Sequence, residues 1–312
     1  MKRIELKSMR IQNFKGCKDK TIDFGDKTRI SGANATGKTT IFDAFTWLLF
    51  ERDSLGSSNF DIRPLDENGK MIDNIEISVE SKISVDGNEY ELKKVQKQKW
   101  VKKRGTGTTE LQGNINEFGI NGYPKSQKDF KDFIAGIIDE DIFTLITNPA
   151  AFNALPWKKQ RETLMKFVGT FSDAEIAETF GERYTKLIPE LRIASTEDIL
   201  KKYTKAKTAL NKDGMFKIVS FKLFAEQING GIKETCECTV NGVPLSSLNN
   251  GHRIVAGLDI IHSLSNLYGV SCPIFVDNAE SINDFNVPKM DAQMIYLTVT
   301  DDKELKVESE DK

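Results

Sequence analysis

Gly32-Ala33-Asn34-Ala35-Thr36-Gly37-Lys38-Thr39 satisfies the pattern G-x-x-x-x-G-K-[ST] at every fixed position, and no other segment constrains the fold so tightly. Such a loop needs a strand feeding it and a helix leaving it. Its backbone N–H groups must converge on one anion, and the helix N-terminus must face the same point. Both neighbours are present: Thr28-Arg29-Ile30-Ser31 reads as a short strand, and residues 40–50 form an apolar run of helical length. In that setting Gly32, Asn34, Ala35, Thr36, Gly37 and Thr40 cradle phosphates. Lys38 reaches the β- and γ-phosphates and serves the reacting group, and the Thr39 hydroxyl ligates magnesium. The competing reading is a chance glycine-rich turn.

The metal needs a carboxylate at the end of a neighbouring strand, and Ile274-Phe275-Val276-Asp277 supplies one. The next residue is Asn278, which cannot accept a proton as a base would; the nearest acid is Glu280. Glu280 either orients the attacking water from a displaced turn or is an ordinary surface acid.

About 240 residues separate the two motifs, far more than a compact nucleotide-binding core needs, so a second lobe or an insertion is expected. Alternating residues predict strands at 4–12, 21–24, 75–85 and 90–101, the last two joined through Asp86-Gly87, with a further short pair near 113–122. Helices are predicted at 128–138, 140–146, 157–168, from Ser172 (a capping box) and at 196–210. After Asn211-Lys212-Asp213-Gly214 the pattern returns to strands at 216–223 and 233–240, with a turn at 229–231. A helix at 251–267 and strands at 274–276, 294–299 and 304–307 follow. The fold class is α/β, in two lobes: 1–211, with the phosphate loop, a β-rich part and a helical subdomain, and 212–312, with the second acidic motif.

A formal net charge of −2 gives no global attraction for nucleic acid, so any polyanion site must be local. Cys17, Cys236, Cys238 and Cys272 lack zinc or disulfide spacing and read as structural thiols. The start lacks a secretory apolar core and no run is long enough to span a bilayer, which leads to the expectation of a soluble, cytoplasmic protein without membrane partners.

The opening Leu6…Arg10-Ile11-Gln12-Asn13-Phe14-Lys15-Gly16, the loop segment 31–50 and Ser246-Ser247-Leu248-Asn249-Asn250-Gly251 together resemble ABC-type ATPase heads of the SMC and SbcC kind, nearest to phage- and bacterium-encoded SbcC-like "AAA" ATPases. The resemblance covers nearly the whole chain. It implies an ATP- and Mg²⁺-dependent hydrolase of DNA repair or recombination, dimerising around two nucleotides, with DNA and a nuclease subunit as partners. Carried over residue by residue, it makes Lys38 and Thr39 the P-loop pair, Asp277 a metal ligand and Glu280 the catalytic acid. Asn148 in Thr147-Asn148-Pro149 takes the place of the Q-loop glutamine at the metal. Asn249, Asn250 and Gly251 take the place of the signature that meets the partner's γ-phosphate, against the plainer reading of a helix-capping loop. The sensing histidine is missing: Thr300 or Asp301 stands in its place, which implies slow hydrolysis, and His252 reads as structural.

Helix 196–210 resembles the root of the family's coiled coil, but no helix returns; the coil is either removed near 211–214 or naturally absent. The alternative functions are an SMC-like DNA tether whose hydrolysis only gates, and an ABC transporter subunit. Lys93, Lys94, Lys97, Lys99, Lys102, Lys103 and Arg104, with Trp100 among them, form the one dense basic run. Lys97, Lys99, Lys102, Lys103 and Arg104 are the candidate DNA contacts, against the reading of a lysine-protected edge strand.

Overall fold

The computed structural model describes residues 1–102, 109–168, 216–226, 232–282 and 287–310. The predicted helices from Ser172 and at 196–210 and the turn at 229–231 lie wholly or largely outside these residues. The chain divides into two units: Met1–Asn148 with Tyr268–Phe285 and Lys289–Lys312, and Pro149–Leu267 with Asn286–Pro288. This differs from the expected division at 211/212. The C-terminal strands hydrogen-bond to N-terminal ones, so both ends of the chain belong to one unit.

The first unit holds two sheets. Strand β1 (Lys2–Phe14) pairs antiparallel with β2 (Cys17–Asp23) and β4 (Ile77–Val85). The sheet continues through β5 (Asn88–Lys102), β6 (Thr109–Ile120) and β7 (Tyr123–Lys125), and β11 (Val270–Ser271) joins β1 in parallel. The hairpin turns have the residues their backbone demands: Asp86-Gly87 and Asn121-Gly122 both have positive φ at both positions. The short pair expected near 113–122 is instead one twelve-residue strand, β6, laid along β5 with a bulge at Lys99/Trp100. Glycine at 113 supplies the positive φ of 129° there, which is why the sequence reads as broken.

The second sheet has the order β12 (Ile274–Asp277), β13 (Met294–Val299), β3 (Lys27–Gly32), β14 (Lys306–Glu310). The first three strands are parallel, and β14 is antiparallel to β3. Helix α1 (Lys38–Phe50) packs on it, and Phe42 stacks on Phe275 at 4.2 Å. The buried Gln293 side chain joins the two sheets. It accepts from Leu6 N at 2.7 Å and donates to Leu6 O and Gly25 O, filling a gap beside the β1 irregularity. Helices α2 (Gln127–Ile137) and α3 (Glu140–Thr147) complete the unit, capped by Ser126 and Asp139.

Beneath α1 lies a buried cation. Lys94 on β5 is fully enclosed, with its ammonium 4.1 Å from the Trp47 ring centroid and bonded to Trp47 O and Glu51 Oε1. Burial pushes Lys94 down to about 8 despite Glu51. Between about pH 8 and the ordinary lysine value of 10.5 the unfolded chain binds more protons than the folded one, so stability rises with pH across that window. The stability of the wild type relative to Lys94→Met should therefore grow by up to ~3 kcal/mol over the window in urea titrations. A pH-independent difference would show that Lys94 is not desolvated.

The second unit contains α4 (Ala151–Ala154), α5 (Trp157–Val168), the sheet β8 (Val219–Glu226), β9 (Ile232–Val240), β10 (Val243–Pro244), and α6 (Asn250–Tyr268), of which all but Tyr268 belong here. Asn241-Gly242 closes the β9–β10 hairpin with two positive φ values. Gly257 on α6 is required by contact: a Cβ there would lie 2.1 Å from Pro149 O. Cys236 and Cys238 are buried on β9, with thiols pushed up to about 12 by burial, as structural thiols would be.

Candidate functional site

Strands β3, β13 and β12 run parallel and end on the same edge of their sheet, where ligands bind in open α/β structures. From those three ends hang the loop after Gly32, Val299 and Asp277. A cavity of about 290 Å³ opens between them, lined by Gly16, residues 34–40, Asp277, Asn278 and Val299.

The loop holds its curvature by local chemistry. Ala35 and Gly37 have left-handed backbones with φ of 65° and 93°, a geometry that turns successive N–H groups toward one anion. Gly32 has no room for a side chain, since a Cβ would meet Thr36 Oγ1 at 2.6 Å. No side chain caps α1, so its dipole faces the cavity. Buried Lys38 folds over the loop, donating to Gly32 O and Ala33 O at 2.9 Å each. The segment from Thr300 to Asp302, in the place of a sensing histidine, buttresses the loop. Thr300 N donates to Gly32 O, Ala33 N donates to Asp302 O, and Lys306 beside Asp302 holds that carboxyl below its usual range.

Thr39 Oγ1 donates to Asp277 Oδ2 at 3.0 Å, joining two oxygen ligands from positions 238 residues apart. Hydroxyl and carboxylate oxygens are the hard donors that magnesium takes, with phosphates and water completing its shell. The pair therefore fits that ion. Glu280, in a 3-10 turn at Ala279–Ser281, is exposed, and its Oε2 accepts from Val299 N at 3.0 Å. Lys15 leans in from the β1–β2 turn and pairs with Asp43 of α1 at 2.6 Å, which places Gly16 at the cavity rim.

Other candidates lie elsewhere. Asn148 ends α3, donates to Ser54 O at 3.0 Å, and lines a separate crevice with Asp53 and Ser54. Its Nδ2 is held by that carbonyl, and Asn148 is not among the residues that line the cavity of the phosphate loop. Asn249, Asn250 and Gly251 belong to the second unit. There Asn249 caps α6 by accepting from His252 N at 2.9 Å, and Arg253 secures Leu245 O and Ser246 O.

Three members of the basic run, Lys93, Lys94 and Lys97, are paired or buried. Lys93 pairs with Glu80, Lys97 with Glu117 and Glu76, and Lys94 is buried. Strand β5 is bonded on both sides, by β4 and β6, so the edge-strand reading is corrected as well. Lys99 is exposed; the side chain of Lys102, and Lys103 and Arg104 entirely, lie outside the described residues. Among the described residues no His/Cys/Asp/Glu cluster suits a metal and no helix is long and apolar enough to cross a membrane.

A family model described as "AAA domain" matches residues 8–236. Comparison with curated proteins finds no match. Among solved structures, the Smc head domain of Pyrococcus furiosus, which has an extended coiled coil and is bound to the C-terminal domain of ScpA, is similar with a TM-score of 0.51 at 13% identity, covering 95% of this chain and 90% of that one. Another Smc head, bound to the C-winged helix domain of ScpA, has a TM-score of 0.50 at 15% identity, over 97% and 96% of the two chains. At these identities the likeness is one of fold.

Proposed function

The chain belongs to the AAA domain family, with an SMC-head fold around an ATP-binding loop, and we propose that it hydrolyses ATP with magnesium, as a dimer acting on DNA in repair or recombination. The observation that carries this reading is the 3.0 Å contact between Thr39 and Asp277, which unites the two motifs at one point. N–H groups of the loop and Lys38 hold the phosphates. Thr39 and Asp277 hold the metal, which when bound neutralises charge on the transferring phosphoryl group. Glu280 keeps one oxygen on Val299 N and presents the other to the attacking water.

In the dimer each loop meets Asn249, Asn250 and Gly251 of a second copy; support comes from the signature-like sequence and the resemblance to SMC heads. Asn249 sits at the N-terminus of α6, where its side chain accepts from His252 N and the helix dipole favours an anion. Exposed Lys99 and neighbouring Lys102 are the DNA contacts this reading favours, and a nuclease subunit would be the accompanying partner.

Glu280→Gln keeps an acceptor for Val299 N but cannot take a proton. It should slow turnover about 10²- to 10³-fold while ATP binding persists and dimers accumulate in ATP. Unchanged turnover removes Glu280 from the chemistry. Duplex DNA should raise wild-type turnover; no stimulation favours a tether that only gates.

A further inference from the structure

Asn278 occupies the wall of the ATP cavity beside Asp277, in a backbone that asparagine tolerates and glycine prefers. Its φ and ψ are 55° and 41°, in the left-handed region. The main chain is fully used: Asn278 N donates to Asp277 Oδ1 at 2.9 Å, and its carbonyl accepts from Ser281 N at 3.0 Å. The side chain is exposed, lines the cavity, and makes no hydrogen bond among the described residues. It does not cap the following 3-10 turn. Glycine would hold the same backbone without strain, so the amide is the one thing asparagine adds at this position.

A carboxamide here has a definite chemical range. It donates two hydrogen bonds and accepts through its oxygen, and it takes no proton at neutral pH. Glu280, two residues on, has the complementary range, with one oxygen anchored on the N–H of Val299, a residue of the cavity lining. We propose that Asn278 is the positioning residue for the attacking water, its amide holding that water against the terminal phosphate while Glu280 accepts the proton. The proposal rests on the reading of the cavity as an ATP-hydrolysing site. In the step, the water oxygen forms the new P–O bond and the bond to the bridging oxygen breaks, its electron pair leaving on ADP. The water's proton goes to the Glu280 carboxylate.

The test is Asn278→Gly in the full chain, which keeps the turn and removes only the amide. The expected kcat falls about tenfold to a hundredfold, with KM for ATP unchanged, and the urea unfolding midpoint without nucleotide stays level or rises. A purely conformational role for Asn278 predicts the reverse on activity, since glycine suits the turn better. Wild-type kcat in Asn278→Gly therefore overturns the proposal, even where Glu280→Gln abolishes turnover. Hydrolysis that survives Lys38→Ala instead sinks the ATP-site reading, and a wild-type chain with no turnover sinks both.

Discussion

Lys38→Ala should weaken ATP binding by at least about a hundredfold, the equivalent of roughly 3–5 kcal/mol for removing one buried partner of a charge pair. Lys38 is more than nine-tenths buried, and its ammonium is bonded to Gly32 O and Ala33 O at 2.9 Å each. A phosphate arriving in the cavity takes over those donors without the lysine having to leave solvent. The variant should fold normally. Gly32 O still accepts from Thr300 N, and Ala33 O from Thr36 Oγ1 at 2.8 Å. Calorimetric titration with ATP and magnesium, beside an unfolding curve, separates the outcomes. A folded variant that binds ATP as tightly as wild type would remove the loop from phosphate binding.

Asp259→Ala should cost the second unit about 3–5 kcal/mol of stability. Asp259 lies on α6 with 1% of its surface exposed, and its carboxylate accepts from three consecutive backbone groups: Lys217 N at 3.1 Å, Ile218 N at 2.8 Å and Val219 N at 3.0 Å. These bonds fix the entry of β8 onto the helix. Alanine leaves the three N–H groups without this partner, that of Val219 in a buried position. Asp259→Asn should recover part of the loss, since an amide retains one acceptor oxygen. Urea unfolding measures the total, and hydrogen exchange at residues 217–219 locates it. A loss within about 1 kcal/mol would mean that other acceptors serve these amides.

The elements with strong local signals were legible in the sequence. Strand β3, the loop and α1 follow from one motif with its flanking patterns, and the β4–β5 hairpin follows from Asp86-Gly87. Asn241-Gly242 carried an equal turn signal and β10 could have been read from it. Strand β6 could not be so read, because Gly113 and a bulge interrupt its alternation. Asp259 and Gln293 were also out of reach. An acid within a helix and a glutamine before a strand look like surface residues until distant backbone groups are seen to bond them.

Within the cavity the same line divides what was readable. Lys38, Thr39 and Asp277 belong to patterns whose spacing encodes their chemistry, whereas Gly16, Asn278 and Val299 arrive as the ends of strands and turns. The lysine run shows the limit most plainly. Its charge was visible, but the pairing of Lys93, Lys94 and Lys97 depended on Glu80, Glu117, Glu76 and Glu51 from elsewhere in the chain.

By itself the sequence determined that a phosphate loop sits between a strand and a helix, because those constraints are local and act over a dozen residues. Tertiary structure alone decided that β13 lies between β3 and β12, bringing Asp277 within 3.0 Å of Thr39. It alone turned Asn278 to the cavity and withdrew Asn148 from it. Strand order and side-chain company are properties of long-range hydrogen bonding and packing, which no short window of residues contains.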